Sequence, residues 1–259
     1  MSIRNVGESA PAAHPRSFCD GAGGDKMAIM SATDAEPVPI AINDTRRVSG
    51  LLQLPADARA CYVLAHGAGA GMAHPFMAAV AAELARRGIA TLRYQFPYME
   101  QGGKRPDPPK LSHAAVRAAV AAAARRAPGL PLLAGGKSFG GRMTSQAQAE
   151  SALPGVRGLV FLGFPLHPAG RPSRERGRHL FDVQIPMLFL QGTRDALAAL
   201  DELQPLTTAL GSRATLKLFH DADHSFHVPK RGGGSDAQVR ADMMDALAAW
   251  SDAVIASGG

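Results

Sequence analysis

A serine between glycines is the residue in this sequence with the clearest potential for chemistry. Ser138 is the central residue of GKSFG (136–140), which fits the pattern G-x-S-x-G. Proteins with this pattern turn sharply from a strand into a helix at the serine, and the glycines relieve the crowding that the turn creates. The turn leaves the hydroxyl exposed at the positive end of a helix. We therefore predict that Ser138 is a catalytic nucleophile.

An activated serine needs a base, and the base needs a group that orients it. His224 lies in DADHSF (221–226) after the apolar run TLKLFH, and Asp195 ends QGTRD (191–195) after the run PMLFL. Their order along the chain, Ser then Asp then His, is the order that accompanies this type of serine turn. We predict that His224 accepts the proton of Ser138 and that Asp195 fixes the tautomer of His224. The weaker candidates are His220 and His227 for the base, and Asp201 and Asp223 for the acid.

Attack by a serine on an ester also requires two N–H groups that stabilise the negative oxygen of the intermediate. The N–H of Phe139, directly after the serine, is the first candidate. HGAGAG (66–71) follows the apolar run CYVLA, and its small residues let the backbone approach a ligand, so we expect Gly67 or Ala68 to supply the second. Two further loops at strand ends predict substrate-binding contacts from Tyr98, Met99 and His167.

Three other chemistries fit parts of these motifs less well. Gly-Lys-Ser also ends a Walker A phosphate loop, but Pro131 occupies the position of that loop's first glycine. The glycines of 66–71 have G-x-G-x-G spacing, which differs from the G-x-G-x-x-G of dinucleotide-binding turns. The histidines at 220–227 lie beside aspartates as in some zinc sites, but the chain has no H-E-x-x-H. We predict neither a metal nor a cofactor.

Alternating apolar strands and amphipathic helices must position these loops. The predicted strands are 37–42, 48–54, 61–65, 89–94, 130–135, 158–164, 186–192 and 215–220. The predicted helices are one from Pro75 to about Gly88, one from 112 to 127 with Ser112 as its N-cap, one after Ser138, one at 201–210 and a last one with an apolar stripe from Val239 to Val254. This alternation predicts an α/β fold, with a mostly parallel sheet between two helix layers and the first two strands as an antiparallel edge. Ligands bind at the carboxyl ends of such strands, where every motif above lies.

Length and composition predict one globular domain over residues 37–259, since the chain has 259 residues of which 46% are hydrophobic. Residues 1–36 lack periodicity and are predicted to be a disordered leader, with Met27 or Met30 as an alternative translation start. Only two cysteines occur, and no apolar run approaches the length of about 18 residues that a membrane helix needs. The first residues also lack the apolar core of a secretory signal. We predict a cytoplasmic protein that does not bind membranes.

The formal net charge of +6 allows acidic substrates or nucleic acids as partners. No zinc spacing or aromatic RNA-binding pattern accompanies that charge, so we predict no nucleic-acid partner. Several cationic residues follow the predicted site loops, namely Lys104, Arg105, Arg171, Arg174, Arg176 and Arg178. One hypothesis is that they favour acidic acyl substrates, and the alternative is that they form a solvated surface. The sequence does not indicate an oligomeric state.

Taken together, six stretches resemble the α/β-hydrolase family of bacterial dienelactone-hydrolase-like proteins. The resemblance covers the chain from about residue 37 to the end, and the stretches that carry it, between residues 65 and 226, are AHGAGAGMAHPFM, LRYQFPYMEQGGKRPDPP, GGKSFGGRMTS, LGFPLHP, LQGTRDAL and DADHSF. That family also includes the eukaryotic testis-expressed hydrolase-like protein and a subunit of the NSL acetyltransferase complex. The resemblance implies a compact hydrolase without a large lid, with Ser138, Asp195 and His224 in the usual roles.

Dienelactone hydrolases themselves use a cysteine nucleophile, so Ser138 argues against carrying their substrate over. Our prediction is a serine hydrolase that cleaves an ester or thioester of a small acyl substrate through an acyl-enzyme. The alternative is a non-catalytic module of the same fold that binds a partner protein, because family members include scaffold proteins and fold alone does not determine activity.

Overall fold

The structure of this chain is a computed structural model that describes residues 35–229 and 234–257. The predicted leader, residues 1–36, lies outside the described residues except for 35 and 36. Glu36, which the sequence assigned to the leader, is the first residue of the first strand. No helix in the described ranges is both long enough and apolar enough to cross a membrane.

One eight-stranded sheet organises the described chain, in the order β1-β2-β4-β3-β5-β6-β7-β8. Its strands are β1 (Glu36–Ala41), β2 (Arg47–Gln53), β3 (Ala60–Ala65), β4 (Ile89–Tyr94), β5 (Leu132–Lys137), β6 (Val156–Leu162), β7 (Met187–Gly192) and β8 (Ala214–Phe219). The six strands from β4 to β8 in that order run parallel. Every residue of β3, β4 and β7 is buried, as is typical of parallel strands covered on both faces.

The antiparallel edge is confirmed and is made by β1 and β2. These two strands pair in register from Glu36 opposite Leu52 to Ala41 opposite Arg47. The second strand then pairs antiparallel with β4, with Gly50 opposite Tyr94, and so does not lie beside β3. A Cβ on Gly50 would lie 2.9 Å from the side chain of Ile40, so a larger residue would disturb this junction.

In the described part of the chain, six helices cover the sheet. They are α1 (Pro75–Ala85), α2 (Pro97–Glu100), α3 (Pro109–Arg126), α4 (Phe139–Glu150), α5 (Leu200–Ala209) and α6 (Asp236–Ser257), with 3-10 helices at Glu175–Asp182 and Gly211–Arg213. Apolar residues of α1 and α6, such as Val80 and Leu247, pack on one face of the sheet. Apolar residues of α3, α4 and α5, such as Val116, Met143 and Leu203, pack on the other. The predicted two-layer covering is therefore confirmed.

Three local predictions were wrong. Ser112 does not cap a helix, because α3 already begins at Pro109, where a proline without an N–H costs the first turn nothing, and Ser112 is buried inside the helix. The segment at 97–100 forms the short helix α2, although it lies in a stretch whose prolines and glycines predicted a loop. Strand β5 ends at Lys137, two residues beyond the predicted end at Gly135, because the ladder to β6 continues as far as Lys137 opposite Leu162. Pairing with a neighbour here outweighs the weak strand preference of glycine.

Candidate active site

Ser138 lies on a sharp turn between β5 and α4, as the motif predicts. Its φ is 49° and its ψ is −116°, a conformation that non-glycine residues rarely adopt. The flanking glycines make this turn possible because the backbone of the neighbouring strand β3 is very close. A Cβ on Gly136 would overlap the carbonyl oxygen of Ala65, and a Cβ on Gly140 would lie 2.5 Å from that of His66.

The structure brings Ser138, His224 and Asp195 into one hydrogen-bonded chain. Nε2 of His224 lies 2.8 Å from Oγ of Ser138, and Nδ1 of His224 lies 2.7 Å from Oδ2 of Asp195. An ionised carboxylate only accepts hydrogen bonds, so Nδ1 carries the proton and donates it to Asp195. Nε2 is then the acceptor for the hydroxyl of Ser138. The three residues follow β5, β7 and β8, whose carboxyl ends lie at the same edge of the sheet.

The carboxylate of Asp195 is fully buried and held by two further donors. The N–H of Leu197 donates to Oδ1 at 2.8 Å, and Nε2 of Gln191 donates to Oδ2. Oε1 of Gln191 in turn accepts from the N–H of Phe164, so this amide side chain is fixed at both ends. The role of Gln191 could not be predicted from the sequence, since a glutamine at the end of a strand has no distinguishing pattern.

The loop after β3 is positioned by His66 and Tyr98. Nε2 of the buried His66 accepts from the N–H of Phe96 at 3.0 Å, so Nδ1 carries the proton and donates to the carbonyl of Gly67 at 2.7 Å. Burial lowers the pKa of His66, which favours this neutral form. The hydroxyl of Tyr98 donates to the carbonyl of Ala68 at 2.9 Å. These bonds fix the backbone that faces Ser138.

Two clefts meet at Ser138 and share Ala68 and Leu197. The first, which we call the apolar cleft, has a volume of about 460 Å³, and its lining includes Phe76, Met77, Leu197, Lys137, Ser138 and His224. The second, which we call the arginine cleft, has a volume of about 380 Å³, and its lining includes Ser138, Phe139, Met143, Asp107, Arg142 and Arg176. The serine hydroxyl is thus open to ligands from two chemically different sides.

The three residues predicted to bind substrate are placed elsewhere, since none lines either cleft. Tyr98 is buried and holds the carbonyl of Ala68, and Met99 packs against the core. His167 is also buried. Its Nε2 accepts from the N–H of Ala199 at 2.8 Å, which anchors the segment after Asp195. These side chains support the site loops, because residues that follow a strand end can turn inward as readily as toward a ligand.

The alternative acid and base candidates lie away from Ser138. The side chain of His220 is 90% exposed and lies beside Asp221, and that of His227 contacts Asp236. Asp223 accepts from the backbone N–H groups of Ser225 and His227, which shapes the loop that carries His224. Asp201 is exposed in the first turn of α5. Within residues 35–229 and 234–257, no three His, Cys, Asp or Glu side chains are grouped so that they could hold a metal ion.

Lys137, the residue before the serine, contributes a cation to the apolar cleft. Its Nζ donates to the carbonyl oxygen of His224 at 2.5 Å and lies 5.3 Å from the centre of the Phe226 ring. Burial lowers the pKa of Lys137 to about 8, although the charges of Asp195 and Asp223 act in the opposite direction. The lysine therefore connects the turn at Ser138 to the loop of His224.

Comparison with known proteins places this architecture in a family. The family model described as "Alpha/beta hydrolase domain" matches residues 58–252. A serine hydrolase without a lid from Xanthomonas campestris is 21% identical with a TM-score of 0.65, covering 84% of this chain and 95% of that one. A dienelactone hydrolase from Anabaena variabilis is also 21% identical, with a TM-score of 0.67 and coverage of 82% and 95%.

An esterase domain from Rhodothermus marinus is 18% identical with a TM-score of 0.61, covering 84% of this chain and 98% of that one. At these identities the likeness concerns the fold, which agrees with the sheet order and the turn at Ser138. The family model itself extends over most of the 259 residues. The chain belongs to the alpha/beta hydrolase domain family.

Proposed function

We propose that this protein is a serine hydrolase that cleaves an ester or thioester of a small acyl substrate through an acyl-enzyme. The observation that carries the proposal is the continuous hydrogen-bonded chain from Ser138 through His224 to the buried Asp195. The strained backbone of Ser138 adds to it, because such strain persists only where the surrounding structure maintains it and is concentrated at functional sites.

In the proposed reaction, Oγ of Ser138 attacks the acyl carbon while its proton moves to Nε2 of His224. The bond from the acyl carbon to the alcohol or thiol then breaks, and His224 gives that proton to the leaving group. Water repeats the sequence on the acyl-enzyme, so that the acid is released and Ser138 regains its proton. Asp195 stabilises the imidazolium that forms in each half-reaction.

The oxyanion of the intermediate would be held by the N–H of Phe139 and by that of Gly67 or Ala68. Phe139 is the first residue of α4, whose initial amides have no partner within the helix. His66 binds the carbonyl of Gly67, and in a trans peptide this carbonyl points away from the N–H of Ala68. His66 thus orients the N–H of Ala68, which favours Ala68 over Gly67 as the second donor.

The esterase and dienelactone hydrolase among the similar structures support ester-type chemistry at the level of fold. Kinship with the testis-expressed and NSL-subunit group rests on the sequence stretches given above and is part of this proposal. A cytoplasmic location and a small-molecule substrate, without nucleic-acid or membrane partners, remain predictions from the sequence.

Labelling by a fluorophosphonate probe tests the proposal directly. We expect the purified protein to be labelled, and labelling to be lost in both Ser138→Ala and His224→Ala. Hydrolysis of p-nitrophenyl esters should fall by about three orders of magnitude or more in the same variants. Ser225→Ala, which changes a neighbouring serine, controls for reaction at another hydroxyl. A folded protein that neither reacts with the probe nor hydrolyses any ester would favour the protein-binding alternative.

A further inference from the structure

The arginine cleft contains two cations, Arg142 and Arg176. Arg174 and Arg178, on either side of Arg176, are paired with Glu202 and Glu175. Within residues 35–229 and 234–257, by contrast, neither Arg142 nor Arg176 forms an ion pair. Both are half-buried, whereas Arg171, Arg174 and Arg178 are exposed. Arg142 and Arg176, which line the cleft, are therefore half-buried without an ionic partner among the described residues.

Arg142 is fixed close to the nucleophile. It lies one helical turn after Ser138, and its backbone N–H donates to the carbonyl of Ser138 at 3.1 Å. Its guanidinium lies 6.0 Å from the centre of the Phe139 ring, and its buried Nε makes no hydrogen bond in the described part of the chain. Burial and the like charge of Arg176 both lower the pKa of Arg142. Two like charges that lie near each other and partly out of water are stabilised when an anion binds between them.

The charge of the cleft matches a single anion. Asp107 also lines the cleft, and its Oδ2 accepts from the N–H of Tyr98 at 2.7 Å. Two guanidinium groups and one carboxylate leave a net charge of +1, which a carboxylate balances and a phosphate dianion exceeds. The guanidinium fork also fits a carboxylate with two parallel hydrogen bonds.

The position of His224 indicates which part of the substrate enters each cleft. His224 must give its proton to the departing alcohol or thiol, so that group lies on the same side of Ser138 as the imidazole. His224 lines the apolar cleft and is not among the residues of the arginine cleft. The acyl chain therefore extends into the arginine cleft, and the leaving group lies among Phe76, Met77 and Leu197.

We infer that the acyl part of the substrate ends in a carboxylate bound between Arg142 and Arg176, and that its alcohol or thiol part is apolar. This inference rests on the serine hydrolase function proposed above. The substrate class is thus a monoester or monothioester of a short dicarboxylic acid. Lys104 and Arg105 are exposed outside both clefts and take no part in the recognition.

Matched esters test the inference on the acyl side. We expect kcat/KM for p-nitrophenyl hemiglutarate to exceed that for the p-nitrophenyl ester of monomethyl glutarate by about tenfold or more. Arg176→Gln and Arg142→Gln should each reduce this ratio by about tenfold. Arg178→Gln, an exposed arginine of the same 3-10 helix, should leave the ratio unchanged. Circular dichroism checks that each variant is folded. If Arg142→Gln does not fold, the ratio measured for Arg176→Gln and Arg176→Lys tests the inference.

A second pair of esters tests the leaving-group side. The pentanoate esters of para-hydroxybenzoate and of its methyl ester differ only in an anion on the alcohol. Nζ of Lys137, the lysine of the apolar cleft, is already bound to the carbonyl oxygen of His224 and lies over the Phe226 ring, so the inference expects no preference for the anionic member. Equal turnover of the two glutarate esters, an unchanged ratio in both arginine variants, or a preference for the anionic alcohol would each overturn it. In that case, labelling by the fluorophosphonate probe and hydrolysis of neutral esters would show that the serine hydrolase proposal still holds. If the protein showed neither labelling nor hydrolysis, both the hydrolase proposal and the inference about the acyl group would be overturned.

Discussion

Lys137 and Gln191 illustrate how single side chains near Ser138 are constrained. Gln191 is completely buried, and its amide joins the carboxylate of Asp195 to the backbone of Phe164. Lys137 joins the loop of His224 to β5. Neither role has a recognisable pattern in the sequence, since each depends on which backbone groups the fold brings near. Arg142 differs, because its position four residues after Ser138 on a predicted helix places it on the same helix face. That spacing was a usable signal.

The lowered pKa of Lys137 makes a prediction about stability and pH. Below about pH 8 the folded and unfolded chains both carry the proton, so the cost of burying the charge is fully present. Between about 8 and the ordinary value of 10.5 the folded chain has released the proton while the unfolded chain retains it, so the contribution of Lys137 to stability rises with pH. Relative to Lys137→Met, the free energy of unfolding of the wild type should therefore increase from pH 7 to pH 10.

Urea unfolding of both proteins at several pH values measures this difference. Lys110→Met, at an exposed position in α3, controls for the loss of a lysine from the surface. The prediction would be contradicted if the free energy of unfolding of the wild type minus that of Lys137→Met stayed constant or fell as the pH rises.

At the scale of elements, the approach of α4 to the end of β3 determines the site. Gly140 lies where this helix passes the backbone of His66, and Gly136 lies where β5 passes Ala65. The motif G-x-S-x-G was sufficient to predict this turn, because only glycine fits both contacts. The sequence did not predict α2 or the 3-10 helix at Glu175–Asp182, since short helices are set by tertiary packing more than by periodicity.

Gly140→Ala should destabilise the fold by about 3 kcal/mol, because its Cβ would lie 2.5 Å from the carbonyl oxygen of His66 and neither backbone can move freely. Gly69→Ala is the matched control, since a Cβ at Gly69 has no heavy atom within 4 Å. We expect it to change stability by less than about 0.5 kcal/mol. Chemical denaturation of both variants measures their free energies of unfolding. Similar losses of stability in the two variants would argue against the close approach of Gly140 to the backbone of His66.

At the scale of the whole molecule, the first and last helices of the described chain, α1 and α6, share one face of the sheet. The alternation of strands and helices predicted the two layers, and it predicted that all the loops of the site lie at one edge. It did not predict that β4 lies between β2 and β3, because pairing order depends on contacts between distant strands. Nor did it predict the contact of α1 with α6, where Arg87 lies between Glu83 and Asp245.

Arg87→Ala should lower the free energy of unfolding by about 1–2 kcal/mol. The guanidinium of Arg87 is largely buried and also donates to the carbonyl oxygens of Glu83 and Ala241, so its removal leaves several acceptors without a donor. Arg178→Ala removes an ion pair whose two side chains are 77% and 66% exposed, and it should cost less than about 0.5 kcal/mol. Equal effects in thermal or urea unfolding would show that Arg87 does not link the two helices.

The separation of the site residues along the chain has a consequence for protein synthesis. Ser138 and His224 are 86 residues apart, and β6, β7 and β8 are made between them. A ribosome therefore produces the serine well before the histidine that is proposed to activate it. Until β8 has left the exit tunnel and joined the sheet, the nascent chain carries an ordinary alcohol at Ser138. If the proposed mechanism holds, Ser138 would therefore become reactive toward esters only after the C-terminal part of the sheet has folded.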